Sequence, residues 1–417
     1  MTFKLFLQRY LSFTIVKVGL VIGRWLILML ALGWLAPPEF ALMAGAFSIV
    51  EILRAFGDIG AENVIYARLA GSERPLPLIV KKLISWRLLT SSALGLLGAL
   101  VFGILVGHGA WLIFGLVFIL AFQNTSIAFL QKNRNQNKII FLAFVAIIGA
   151  IFSVLVAVLY RPNGLMLSLL LILPETFAAV AGIYLTKNYW LLLVFSVPQN
   201  LHLGLNRLLP FIAPSVAVSI LVMCYTRLDI LLVLPLMGLI AQANYSAGFR
   251  LVEPIFLLLS LASVSLLAEL GSYYTRDLRL FTERVTAFLD FRTLVIFLIL
   301  GCILGFVSEI IGVKFFKLSA EAAKIAGLLA LAIPVKILNG FLTSLLQRGG
   351  NYNQVLYAAI WNTVTTWIIA LILSTLIGVT GIAIGALIGD IINFLFQYRA
   401  VKNRLLKNDF RYAKFKL

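Results

Sequence analysis

Twelve apolar runs follow one another along this chain, roughly over residues 12–35, 40–66, 84–106, 111–130, 139–159, 165–186, 208–234, 243–270, 288–312, 320–346, 353–376 and 380–399. A helix needs about 20 consecutive apolar residues to cross the hydrocarbon of a bilayer, and the runs are of that order. A soluble fold has too little interior to hide them. Of 417 residues 62% are hydrophobic and 12% charged, whereas a soluble domain is about 25% charged. The expected fold class is all-α: a polytopic membrane protein with about 12 transmembrane helices. Charges interrupt the second, seventh, eighth and tenth runs. The first run contains Arg24 yet reaches the length of a span, so it reads as a retained helix.

The chain carries 34 Lys+Arg against 16 Asp+Glu, a net charge of +18. In a soluble chain that balance would suggest nucleic acid. Here it is explained by loops held on one side of a membrane, and no nucleic-acid partner is expected. With the N-terminus inside, twenty-five of the 34 fall in inside segments, from Lys4, Arg9 and Lys17 to the tail of Arg399, Lys402, Arg404, Lys407, Arg411, Lys414 and Lys416. Arg161, Lys314, Lys317 and Lys324 fall outside, and Arg24, Arg54, Arg227, Arg250 and Lys336 lie within the runs. This asymmetry places both termini in the cytoplasm. External connections are short, as at Arg161-Pro162-Asn163-Gly164, so no external domain is expected to house a catalytic site. No cofactor or metal is expected: Cys224 and Cys302 lie in apolar runs, and His108 and His202 have no ligand spacing around them.

Halving the chain lands near residue 208. Phe47-Ser48-Ile49-Val50-Glu51 matches Phe249-Arg250-Leu251-Val252-Glu253 at an offset of 202, and Arg24 stands to Arg227 at an offset of 203. Both signals put six runs in each half, in the same orientation. The expected organisation is a six-helix bundle over 1–186, a cytoplasmic interfacial linker over 187–207, a second six-helix bundle over 208–399 and a basic cytoplasmic tail over 400–417. In the linker, Tyr189 and Trp190 suggest a segment lying in the membrane interface.

An ionisable side chain at bilayer depth costs roughly 2.5–3.5 kcal/mol, so it faces protein or water. In run two, Glu51, Arg54, Asp58 and Glu62 fall at 100° per residue into one narrow stripe. Lys336, Asn339, Thr343 and Gln347 repeat the spacing in run ten. In run seven Ser215, Ser219, Thr226 and Asp229 share a face, with Arg227 pointing elsewhere, and run eight adds Arg250 and Glu253 one turn apart. Together the stripes suggest a hydrated cavity between the bundles. Weighed against this, Glu51 with Arg54 and Arg250 with Glu253 are spaced as structural ion pairs, Asp58 and Glu62 lie toward a helix end, and Arg227 has a choice of acids on neighbouring helices. Mid-span arginines and a lysine complement an anion, and the guanidinium fork suits phosphate. A cavity for organic cations would instead carry unpaired acids and aromatic rings.

Around runs seven and eight, Tyr225-Thr226-Arg227-Leu228-Asp229 precedes Asn244-Tyr245-Ser246-Ala247-Gly248-Phe249-Arg250-Leu251-Val252-Glu253-Pro254, and run two holds Ala55-Phe56-Gly57-Asp58-Ile59-Gly60. These stretches resemble the Y-x-R-x-D, Y-x-A-x-[KR]-L and x-D-x-G motifs of the Wzx-type polysaccharide-biosynthesis flippases, a branch of the multidrug/oligosaccharidyl-lipid/polysaccharide exporter superfamily. The resemblance implies movement of an undecaprenyl-diphosphate-linked oligosaccharide from the inner to the outer leaflet of the bacterial cytoplasmic membrane, for surface polysaccharide assembly. It also implies a central cavity whose basic residues, here Arg24, Arg54, Arg227, Arg250 and Lys336, hold the diphosphate. Of these, Arg24, Arg54 and Arg250 match cavity arginines of the related lipid II flippases. That branch usually has two further helices, for which this chain is too short.

The family is held to be driven by an ion gradient, H+ or Na+. Asp229, Asn362 and Asp390 are candidate oxygen donors for the ion, and Glu51, Asp58 and Glu253 are candidates for ion coupling or charge pairing. Membrane lipids are implied partners, and a polysaccharide polymerase is a candidate one. The alternatives are an ion-coupled multidrug/cation antiporter of the same superfamily, a membrane glycan polymerase, which should have a sizeable external loop, and a non-transporting scaffold.

Overall fold

Within hydrocarbon no water reaches the backbone, so apolar runs must close their hydrogen bonds inside each segment. A computed structural model describes residues 23, 25–58, 78–106, 113–132, 136–162, 164–194, 205–274, 278–348 and 351–406, which are helical almost throughout, with no strand among them. After a helical stretch at 25–31 come α1 (Pro37–Asp58), α2 (Leu78–Val106), α3 (Gly115–Lys132), α4 (Gln136–Tyr160), α5 (Gly164–Leu185) and α6 (Lys187–Val194). Then follow α7 (Leu205–Thr226), a π-helical turn (Asp229–Val233), α8 (Leu234–Tyr274), α9 (Leu278–Phe288) and α10 (Phe291–Lys314). The last four are α11 (Ala320–Leu331), α12 (Ile333–Arg348), α13 (Tyr352–Ile377) and α14 (Val379–Leu406).

Among the described residues nine helical stretches are long and apolar enough to cross a membrane, and Gly115–Ile127 and Val216–Thr226 are shorter apolar helices. These eleven fall on eleven of the twelve expected runs. Of the remaining run, 12–35, only residues 23 and 25–35 are described. The multi-pass character shows on the outside as well. Along α4 the exposed Phe141, Phe144, Ile148, Ile151, Leu155 and Leu159 recur every three or four residues, and α10 exposes Ile296, Ile299, Ile303 and Phe306 in the same way. Apolar stripes of this length are suited to lipid rather than water.

The chain divides into two compact units, Met1–Met223 and Cys224–Leu417. The core of the first is built from Ile27, Leu28, Phe47, Val50, Phe114, Val117 and Leu171. Short α6 is fastened to this unit. Trp190 Nε1 donates to Ser126 Oγ at 3.2 Å and to Thr186 Oγ1 at 3.0 Å, its ring stacks on Phe122, and Tyr189 stacks on Phe129. Trp190 is thus buried against protein.

In the second unit α13 and α14 form a close antiparallel hairpin reversing at Gly378, α10 packs on α11, and α12 packs on α14. Two of the expected runs are not continuous helices. Run ten is divided at Ala332, because Pro334 has no N–H to donate to the preceding turn. Run seven stops at Thr226, and the chain resumes through the wider π turn. Arg227 therefore sits in a break of the helix, and the helical wheel that put Ser215, Ser219, Thr226 and Asp229 on one face does not hold across it. The boundary between runs seven and eight falls at Gly238, whose φ of 81° is one that side-chain-bearing residues rarely adopt.

Candidate functional site

In the N-terminal unit the described acids of the run-two stripe are each paired with an arginine. Glu51 Oε2 lies 2.8 Å from Arg54 Nη2, one turn away on α1. Asp58 meets α2, where Arg87 Nε lies 2.8 Å from its Oδ1. The same corner is tied by Thr90, whose hydroxyl donates to Gly57 O at 2.8 Å. Arg87, grouped from sequence with the inside loop charges, is 3% exposed; an uncompensated guanidinium could not be buried so deeply, and Asp58 is what permits it. Glu62 and Arg24 lie outside the described residues.

In the C-terminal unit the polar stripe of α12 is used against α14. Lys336 Nζ lies 2.6 Å from Asp390 Oδ2, a charge contact rather than a well-angled hydrogen bond. Asn339 Nδ2 donates to the main-chain carbonyl of Asp390 at 2.9 Å. Two turns along from Lys336, Thr343 Oγ1 is 3.0 Å from Gln397 Oε1, and Gln397 Nε2 donates to Asn393 Oδ1 at 2.9 Å. From α13, Thr366 Oγ1 donates to Asn362 Oδ1 at 3.0 Å, both residues being fully buried. Gly389 of α14 leaves the room for them: a Cβ there would run into Thr366 Oγ1 and Asn362 Oδ1. The Tyr225 ring lies 6.0 Å from Lys336 Nζ. Trp367 braces the arrangement by donating to Cys224 O at 2.9 Å.

A second group forms where run seven breaks. Arg227 is 8% exposed and Arg250 4% exposed. Both guanidinium carbons approach the ring of Phe249, at 5.2 and 5.8 Å. Arg250 Nη1 is held at 2.6 Å by Glu253 Oε2. Arg227 Nε and Nη1 hydrogen-bond nothing among the described residues, and the side chain of Asp229 is not among those described. Two buried guanidinium groups near one aromatic ring gather positive charge beside a break in the helix, with Glu253 offsetting that of Arg250. Such a pair is chemically suited to an anion with several oxygens. Asn244 of α8 accepts from Ser319, the N-cap of α11, and donates to Glu321, which ties α8 to the start of α11.

The structure thus brings together Arg227 with Arg250 and Glu253, and separately Lys336 with Asp390 and Asn362. Glu51, Arg54 and Asp58 form their pairs on the first unit. Sequence reasoning missed Arg87 and also Glu175, which is fully buried in α5 directly after Pro174. A lone acid within an apolar run next to a proline is the signal that would have found Glu175. Among the described residues no three His, Cys, Asp or Glu side chains cluster as a metal site.

No protein-family model matches the chain, and no curated protein matches its sequence. Solved structures match it in fold. An inward-facing multidrug resistance MATE family transporter of the MOP superfamily aligns with a TM-score of 0.64 at 15% identity, covering 95% of this chain and 99% of the other. The lipid II flippase MurJ, in an inward closed conformation, aligns with the same TM-score of 0.64 at 15% identity over 96% of this chain and 90% of that one. The Vibrio cholerae MATE transporter VcmN in its bent form gives 0.58 at 13% identity over 97% and 98%. The chain therefore has, over nearly its whole length, the multi-pass all-helical fold that MATE transporters share with a lipid II flippase.

Proposed function

We propose that this chain is a flippase that moves an undecaprenyl-diphosphate-linked oligosaccharide from the cytoplasmic to the outer leaflet of the bacterial cytoplasmic membrane by alternating access, with both termini in the cytoplasm. The observation that carries this reading is the pair Arg227 and Arg250, both more than nine-tenths buried and both on the ring of Phe249. Their charge and fork geometry suit the diphosphate. The exposed apolar stripes on α4 and α10 support this reading, being suited to contact with a long lipid tail. Arg24, Arg54 and Lys336 belong to the same proposed set. Arg54, Lys336 and Arg250 are tied to Glu51, Asp390 and Glu253, whereas Arg227 Nε and Nη1 hydrogen-bond nothing among the described residues, so the part of Arg227 comes first.

The test is genetic and chemical. Cells lacking the protein should accumulate a lipid-linked glycan on the inner leaflet. Arg227→Ala or Arg250→Ala should reproduce that accumulation with normal amounts of protein in the membrane. Normal surface glycan in both variants would sink the assignment. The likeness to MATE transporters favours a second reading, an ion-coupled antiporter of organic cations. Efflux of a cationic dye from vesicles holding only this protein would establish it in place of the first.

A further inference from the structure

A carboxylate that receives an ion from solution should stand without a cation of its own. Six acids in the membrane runs were singled out from sequence, and the side chains of four of them are described. Each of the four carries a side-chain cation: Glu51 has Arg54 at 2.8 Å, Asp58 has Arg87 at 2.8 Å, Glu253 has Arg250 at 2.6 Å and Asp390 has Lys336 at 2.6 Å.

Asp390 decides the question, because it stands among neutral oxygens of the kind a small hard cation needs. Asn362 and Thr366 pack against the neighbouring Gly389, and the Tyr225 ring lies 6.0 Å from Lys336 Nζ. Asn339, 6% exposed, uses its Nδ2 on the Asp390 carbonyl, while its buried Oδ1 accepts no hydrogen bond among the described residues. One carboxylate with amide and hydroxyl oxygens is a reasonable donor set for a sodium ion. The residues nevertheless do not fit a free ion, because an ammonium is already in contact with the carboxylate. A second cation sharing Asp390 would stand within about 5 Å of Lys336 Nζ, a separation at which like charges repel strongly in a low dielectric. The one-turn spacing of Lys336 and Asn339 on α12 puts the ammonium and the Asn339 amide over the same stretch of α14.

We propose that Lys336 is a built-in cation taking the place of a metal ion at Asp390. The C-terminal unit binds no sodium ion there while the ammonium is present, and removing the ammonium turns the cluster into a sodium site. The inference concerns the occupancy of one cluster and is independent of the cargo. Glycan export bears on the transport reading, and ion binding bears on this one.

The test uses the purified full-length protein. Binding of radioactive sodium and the thermal unfolding midpoint are measured in sodium chloride and in N-methylglucamine chloride at equal ionic strength. The wild-type protein should show no sodium binding that Asp390→Asn removes, and the same midpoint in both salts. Lys336→Ala should unfold at a lower temperature and be stabilised saturably by sodium. Methylammonium, an untethered copy of the missing group, should restore its midpoint as well. Lys336→Ala combined with Asp390→Asn should respond to neither ion. The proposal is overturned if wild-type protein binds sodium in a way that Asp390→Asn abolishes, which holds even where the Lys336 variant does not fold. It is also overturned if folded Lys336→Ala responds to neither sodium nor methylammonium.

Discussion

Asp58 and Arg87 show what a single charge costs and does in this chain. They lie 29 residues apart and on different helices, yet their side chains meet at 2.8 Å with Arg87 almost wholly buried. Removing one member of a buried pair costs about 3–5 kcal/mol, whereas replacing both with apolar groups is often close to neutral. Asp58→Ala should therefore lower stability by about 3 kcal/mol. Adding Arg87→Leu to it should recover most of the loss, and thermal unfolding of the purified variants measures both. Additive losses would mean that the two residues act separately. This pair was illegible in the sequence because only spacing along one helix can be read there. Glu51 with Arg54 and Arg250 with Glu253 could be read, since residues three apart share a helix face. The repeat adds a detail. Glu51 and Glu253 occupy matching places in the two halves, but one holds an arginine in the following turn and the other in the preceding turn.

At the scale of the element, hydropathy locates the helices well and their interruptions poorly. The eleven described spans fall on expected runs because a backbone in hydrocarbon has no alternative to the helix. The break at Arg227 has no proline or glycine to announce it. A wheel drawn from Ser215 to Asp229 therefore assumed a continuous helix that the break at Arg227 interrupts. The stripe on α12 was recognised as a stripe, and three of its four members, Lys336, Asn339 and Thr343, meet α14. Periodicity shows that a face is polar and does not show what covers it. The seam between α13 and α14 offers a sharp test of packing, because Gly389 leaves no room for a side chain beside Thr366 and Asn362. Gly389→Ala should cost about 1–3 kcal/mol, seen as a lowered unfolding midpoint. An unchanged midpoint would mean that the two helices separate easily at this point.

For the whole molecule, charge and hydropathy say more than any motif. The proposed orientation follows from basic residues that crowd alternate connections, and chemical labelling can check it. In a background with Cys224 and Cys302 replaced, a cysteine at Arg161 should react with an impermeant thiol reagent in intact cells. A cysteine at Lys138 should react only after the membrane is opened. The reverse pattern would invert the topology and, with it, the direction of transport. The likeness in fold to both MATE transporters and a lipid II flippase leaves the cargo to be decided by the buried charges. In the proposed reading Arg227 and Arg250 meet an anion, Arg250 while also held by Glu253, and Glu51, Asp58 and Asp390 are paired with Arg54, Arg87 and Lys336.

The most direct measurement reconstitutes the purified protein into vesicles containing an undecaprenyl-diphosphate-linked oligosaccharide and follows the leaflet in which the glycan is accessible to a membrane-impermeant glycosidase. The wild-type protein should make glycan of the inner leaflet accessible from outside. Arg227→Ala combined with Arg250→Ala should leave it protected, with the protein folded and inserted. Equal transfer by the double variant and the wild-type protein would contradict the account.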